Sequence, residues 1–210
     1  MRLTERDYRI MKEIDRWKAC TGKHIKFLSG FSGQRAADRR LKILIEEDFI
    51  KRKKYLYGVP SIYFITPKGK VLINAPKSKD KIKIEQIIHD MTVIDTAIYF
   101  NLKNNIDFSK IVTEKQLHRS DGFGVRKHRP DFVFYEDDKE NCVEVELSLK
   151  AKTRLENIIK DNFMEYNTQF WIVPDTQPKI KQILNDSKMI YTNTEIINLE
   201  EVKSYVGKFI

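Results

Sequence analysis

Residues 128–150 read HRPDFVFYEDDKENCVEVELSLK, and this stretch decides the fold. Phe132–Tyr135 is apolar and aromatic, the composition of a strand. Glu136–Asn141 is a polar turn. Cys142–Leu149 alternates strictly, with the period of a second strand. Val143, Val145, Leu147 and Leu149 point one way, while Glu144, Glu146, Ser148 and Lys150 point the other. Two glutamates at i and i+2 stand roughly 6.5–7 Å apart on one face. Asp131, at the start of the neighbouring strand, adds a third carboxylate beside them. Such a cluster repels itself unless a cation neutralises it. Carboxylate oxygens are what Mg2+ or Mn2+ prefers. Lys150 is placed to orient a water or offset developing phosphate charge. An ordinary strand with a solvated Glu/Glu/Ser/Lys face fits the same spacing. The Pro130-Asp131 pair ahead of the first strand tips the balance towards a site.

Outward from this stretch the pattern alternates. Lys152–Tyr166 reads as a helix, Thr168–Val173 as a buried strand and Pro178–Leu184 as a helix. Met189–Tyr191 and Glu195–Leu199 read as further short strands or edges. Strands alternating with helices imply an α/β layer around a mixed sheet. On the other side, Ile84, Ile87, Ile88, Met91, Ile94 and Ile98 recur at helical spacing and predict one long helix to about Phe100. Asp95 falls near its apolar stripe, where a carboxylate needs a partner or a role. Ala75–Lys83 (APKSKDKIK) is polar and Lys-rich and reads as a linker or as the start of the next helix. The division expected is therefore 1–78 and 79–210, in a chain of class α+β or α/β.

The N-terminal part has its own order. Thr4 reads as a helix N-cap with Asp7 three residues on as a weak capping box. Tyr8, Met11, Ile14 and Trp17 follow near helical spacing. His24–Leu28 forms a second short helix, and Ser32 caps a third that runs to about Glu47. Ala37, Leu41, Leu44 and Ile45 make the apolar stripe of that third helix. Gln34, Arg35, Asp38, Arg39 and Lys42 lie largely off it. Phe49–Tyr57 and Ser61–Ile65 read as two strands joined at Gly58-Val59-Pro60. Thr66-Pro67 then opens a short helix with Pro at a favoured first position. Three helices followed by a basic hairpin is the order of a winged helix, whose third helix enters the major groove. Gln34, Arg35, Arg39, Arg40 and Lys42 on that helix, and Lys51, Arg52, Lys53 and Lys54 on the hairpin, are the expected contacts to double-stranded DNA.

Charge points the same way. The chain has 210 residues, 39 Lys/Arg and 30 Asp/Glu, for a net +9. Residues 1–80 hold 20 Lys/Arg against 9 Asp/Glu, a net +11, and the remainder is at −2. A localised basic segment is the electrostatic footprint of nucleic-acid binding. At 41% hydrophobic residues, global disorder is excluded. No apolar run approaches the roughly 20 residues that span a bilayer, and the opening MRLTERDYRI lacks the apolar core of a signal peptide. Cys20 and Cys142 are too few for a disulfide framework. The expectation is a soluble, cytoplasmic protein without a membrane partner. No His-x-His pair, P-loop, GxSxG elbow or His/Cys cluster is present. Tyr166, at the end of its helix, reads as packing rather than as a strand-transfer nucleophile.

Pro130-Asp131, then Glu144-Val145-Glu146 and downstream Lys150, resembles the PD-(D/E)xK nuclease-like superfamily. In that pattern the Asp and the first Glu hold the metal, and a Lys two residues on assists. Glu146 occupies the Lys position here, so Lys150, or Lys152 and Lys160 in the next helix, would substitute. The combination of a winged helix, the helix IIHDMTVIDTAIYF, RPDFVF and VEVELSLK looks like the plasmid replication-relaxation family, which overlaps the MobC-type relaxases. The likeness covers about residues 1–175. It implies a DNA-binding protein of a plasmid or conjugative element, with metal-dependent, site-specific nicking. Asp131 and Glu144 would be metal ligands, Glu146 a further ligand or the Lys replacement, and Asp95 an extra carboxylate. The departure at Glu146 keeps open a non-catalytic relaxosome, replication or transcriptional accessory with a degenerate nuclease fold. A third reading is a winged-helix regulator with a dimerising C-terminal domain, which predicts no metal at all. A palindromic target would call for a homodimer.

Overall fold

The computed structural model describes residues 2–55, 57–58, 60–76, 84–121 and 127–210. It forms two compact units, Met1–Ile94 (with Ile210) and Asp95–Phe209. The expected boundary at 78/79 and most of the expected linker lie outside the described residues, as does Val59 of the expected turn.

In the first unit, α1 (Glu5–Arg16) starts on the Thr4/Asp7 capping box. The Thr4 amide and hydroxyl both donate to Asp7 Oδ2, at 2.6 and 2.8 Å. Ile10, Met11, Ile14 and Trp17 are buried, whereas Tyr8 is only partly so. A short strand, β1 (Cys20–Thr21), follows. Next is α2 (Gly22–Leu28), where Thr21 accepts from the His24 amide at 3.2 Å. The α3 helix spans Gln34–Glu46 with N-cap Gly33, one residue beyond the expected Ser32. Then come β2 (Ile50–Lys53) and β3 (Ile62–Ile65), both shorter than the sequence pattern implied. The sheet order is β1-β3-β2, antiparallel throughout. Thr66 caps α4 (Pro67–Leu72) and accepts from the Gly69 amide at 3.1 Å. Gly69 is required here, because a Cβ would stand 2.2 Å from the Phe49 carbonyl oxygen. Ala19, Ile62, Phe64 and Ile87 form one apolar cluster, with Tyr55 and Met91 against it.

The long helix α5 (Ile84–Asn104) runs four residues past the expected end, and the division between the units falls inside it. The second unit adds β4 (Ile111–Thr113) and α6 (Glu114–Ser120), neither of which the sequence pattern implied. Then follow β5 (Phe132–Glu136), β6 (Lys139–Val145), α7 (Lys152–Glu165), β7 (Thr168–Val173), α8 (Pro178–Lys188), β8 (Thr194–Asn198) and α9 (Leu199–Val206). The sheet order is β4-β5-β6-β7-β8. Its first three strands are antiparallel and its last three parallel. This mixture follows from the connections. A two-residue turn, Asp137-Asp138, can only reverse the chain, whereas α7 and α8 are crossovers long enough to return it in parallel.

Helices cover both faces of this sheet. On one face Phe100 of α5 meets Phe132, Phe134 and Phe170, with ring centroids 5.0–6.2 Å apart. On the other, Leu155, Ile158 and Ile159 of α7 join Trp171, Val173, Ile180 and Leu184. The class is thus mixed α and β with a mixed sheet, as the sequence implied, and that sheet has five strands among the described residues. Two expectations are corrected. The second strand ends at Val145, not Leu149, because the chain bends at Ser148 and leaves Leu149 exposed. Met189–Tyr191 is no strand; it is the turn that follows α8, with Met189 and Ile190 exposed. Among the described residues, no helix is long and apolar enough to cross a membrane.

Candidate functional site

The carboxylates singled out in the sequence gather where β5 begins and β6 ends. The register pairs Phe132 with Val143, so one residue further places Asp131 opposite Glu144. Alternation then puts Glu144 on the face covered by α7, away from Phe132 and Val143. Glu144 and Glu146 are both buried, at 5% and 3% exposure. Burying a charge is costly unless it is paired, and each carboxylate has a partner. Glu144 Oε1 lies 2.7 Å from His128 Nε2 and accepts from Asn162 Nδ2 at 3.1 Å. Glu146 Oε2 lies 2.5 Å from Lys150 Nζ. Asp131 Oδ2 accepts from the Val145 amide at 2.7 Å. Lys150 reaches Glu146 through the bend at Ser148 rather than by strand alternation.

Electrostatics couple the group. Burial pushes the Glu144 carboxyl above its ordinary value, and the Asp131 charge pushes the same way against the His128 and Asn162 bonds. Burial works to lower His128, but the hydrogen bond and charge of Glu144 outweigh it and hold the imidazole above its ordinary value. Both shifts favour the form in which the pair holds a proton.

The segment carrying His128 is strapped down by alternation. Lys127 and Arg129 reach Glu165 at 2.5 and 2.8 Å, and Arg129 also grips Asp121. His128, between them, turns inward to Glu144. Neither His128 nor Asn162 is singled out for this site by the sequence. A signal for Asn162 exists, since it extends the Leu155, Ile158, Ile159 stripe of α7 as its one polar member. His128 carries no such signal, because it precedes the strand and its direction depends on tertiary contacts.

Other expected members lie elsewhere. Asp95 is partly buried on α5, the helix whose Phe100 packs on the opposite face of the sheet. Lys152 pairs with Glu156 at 3.7 Å on the outer side of α7, and Lys160 is exposed there. Tyr166 is 6% exposed in a cluster with Val133 and Cys142, and burial raises its hydroxyl well above the ordinary value, as packing implies. Among the described residues, no three His, Cys, Asp or Glu side chains are gathered so that they could hold one metal ion. Mg2+ needs several oxygens converging on one point. Here Glu144 Oε1 and Glu146 Oε2 are taken up by His128 and Lys150, so the carboxylates as arranged do not converge on one divalent cation.

The basic residues form the second candidate. Arg35, Arg39 and Lys42 are exposed along the outer side of α3. Lys51, Arg52 and Lys53 of β2 and Lys54 beyond it are exposed too. Lys54 lies over the ring of Tyr57, which is 98% exposed at the end of the hairpin. Gln34 donates to Asp38 at 2.8 Å, and Lys42 lies 3.8 Å from Glu46. Arg40 is placed differently from its neighbours. Its guanidinium is committed to the fully buried Asp7 carboxylate, so it joins α3 to α1. No protein-family model matches the chain, and no curated protein matches it closely enough to indicate kinship.

Proposed function

We propose that the chain is a double-stranded DNA-binding protein of a mobile genetic element, acting as a relaxosome, replication or transcriptional accessory. In this reading residues 1–78 are a winged helix. The C-terminal part is a PD-(D/E)xK-like domain whose carboxylates are neutralised by the chain's own cations. The observation that carries it is the exposed row of Arg35, Arg39, Lys42 and Lys51–Lys54, on a third helix and the hairpin after it. In a winged helix those two elements meet the major groove and the flanking backbone. Of this row Lys42 is paired with Glu46, and the other exposed cations can release counterions on a phosphate backbone. His128 on Glu144 and Lys150 on Glu146 supply the neutralisation that a metal would otherwise provide.

Metal-dependent nicking with Mg2+ or Mn2+ is the competing reading. Asp131 standing opposite Glu144 favours it. One pair of assays separates the two. Binding to a duplex is measured by anisotropy for the wild type and for Lys51→Gln/Arg52→Gln/Lys53→Gln/Lys54→Gln. Supercoiled plasmid carrying the DNA that flanks the gene is incubated with Mn2+, Mg2+ or chelator, using the wild type and Glu144→Gln. Binding that weakens in the hairpin variant, with no open circles in any condition, is the expected result. Metal-dependent open circles that disappear in Glu144→Gln would replace the accessory reading with the nickase. Undiminished binding by the hairpin variant would remove the winged-helix reading.

A further inference from the structure

We propose that a groove between α1 and α3 of the N-terminal unit binds phosphate groups, with Arg6, Arg9 and Arg39 as the ligands. The groove is an open depression of about 990 Å3, bounded by the start of α1, the Ser29–Phe31 turn and the middle of α3. Arg6 and Arg9 lie three residues apart on α1 and therefore on neighbouring positions of one side. Arg39 approaches from α3. All three are exposed. Arg6 is steadied by stacking, with its guanidinium carbon 4.8 Å from the centre of the Phe31 ring. Glu5 also lines the groove and opposes the three cations with a single negative charge. Arg40 forms part of the wall, already neutralised by Asp7. Three guanidinium groups around one open space fit a phosphate, whose oxygens accept their planar forks.

Ser29 supplies an independent observation. It lines the same groove, is 3% exposed, and its hydroxyl has no hydrogen-bond partner among the described residues. A buried hydroxyl without a partner is destabilising; it is closed off beneath the groove, and a small shift of the Ser29–Phe31 turn that brings it to a phosphate oxygen at the groove floor relieves it. The position on α3 also matters. Gln34 and Asp38 lie beside Tyr63 of β3, on the flank of α3 turned to the hairpin sheet. Ala36, Arg39 and Arg40 lie on the other flank, at the groove. A duplex read by α3 would then meet basic side chains on both flanks, the hairpin on one and this groove on the other. That assignment rests on the DNA-binding reading; the phosphate chemistry does not.

The test uses the full chain and two probes. The first is a 30-base-pair duplex, titrated at several salt concentrations with the wild type, Arg6→Gln/Arg9→Gln, Ser29→Ala and the hairpin variant. The second is inorganic pyrophosphate, read as a shift in melting temperature. The expected result is a slope of log affinity against log salt shallower by about two in Arg6→Gln/Arg9→Gln, one unit for each phosphate that is no longer neutralised. Ser29→Ala weakens duplex binding without lowering the melting temperature of the free protein, which a purely structural serine would not do. An unchanged slope in Arg6→Gln/Arg9→Gln, with weakened binding in the hairpin variant, overturns the groove and leaves the DNA-binding reading standing. No duplex binding by the wild type, with pyrophosphate stabilising it but not Arg6→Gln/Arg9→Gln, removes the DNA reading and makes the groove a site for a free polyphosphate. Failure of both probes overturns both.

Discussion

At the scale of single residues, buried charge is managed pair by pair. His128 is raised by its bond to Glu144. A group whose pKa is higher folded than unfolded stabilises the fold fully below its unfolded value, and that contribution is lost as pH rises through the folded value. Glu144 is raised as well, so its sign is the same. The melting temperature should therefore fall as pH climbs above about 6.5, the ordinary histidine value. His128→Gln, which keeps a donor for Glu144 but cannot titrate, should flatten that slope. A thermal unfolding series from pH 6 to 9 checks it, and equal slopes in the two proteins would remove the shared-proton account. Asp7 has the opposite sign. Burial works against its charge, but the Arg40 and Thr4 bonds prevail and lower it. Its contribution is present at neutral pH and is lost as pH falls through the folded value. Asp7→Ala removes a helix cap and leaves Arg40 unpaired, so it should cost about 2 kcal/mol, read by urea unfolding at pH 7.

At the scale of elements, connections decide which expectations survive. The polar run Glu136–Asn141 is legible as a turn, but the structure compresses it to Asp137-Asp138, both with positive φ, at 47° and 61°. That is the geometry of a two-residue hairpin turn that Asn-Gly fills best. Asp137→Asn/Asp138→Gly should stabilise the protein by about 1 kcal/mol, measured as a higher urea midpoint with an unchanged denaturant slope. A lower midpoint would mean that the aspartates hold the turn by contacts of their own. The carboxylate face of β6 is legible because period-two alternation is local. The end of the strand is not, since Leu147 and Leu149 continue the apolar pattern while the chain bends at Ser148. Likewise α9 (Leu199–Val206) follows β8 (Thr194–Asn198), which is the strand expected at Glu195–Leu199, and the sequence pattern carried no expectation for the helix itself. Its Leu199, Val202 and Val206 are buried at helical spacing, a period that the apolar run before it obscures.

At the scale of the whole molecule, the charge asymmetry is legible in full from composition, and the assignment of individual cations is not. Arg40 and Arg39 are neighbours in sequence, yet one binds Asp7 33 residues away and the other is exposed at the groove. No local pattern separates them. Arg6 and Arg9 escape a sequence reading for the converse reason, because α1 reads as a core helix whose outer side carries no expectation. The positive charge of residues 1–80 and the near balance beyond them give a further expectation. Lys181 and Lys188 in the second unit are already paired with Asp175 and Glu195. Lys181→Gln/Lys188→Gln should therefore leave duplex affinity within about twofold and its salt slope unchanged, while the hairpin variant reduces both. Comparable reductions in the two variants, seen by anisotropy, would spread the binding surface over the entire chain.

The β2 strand has a bearing on solubility even without a ligand. Among the described residues it is an edge strand of its sheet, bonded to β3 on one side only, and Lys51, Arg52 and Lys53 are all exposed along it. An open edge is a template for another copy's backbone, and like charges along it keep such copies apart. The same three side chains thus guard against self-association. Conditions that mask them, such as high salt, would relieve that repulsion and favour edge-to-edge annealing of hairpins, a route to aggregation that bound polyanion would close by covering the strand.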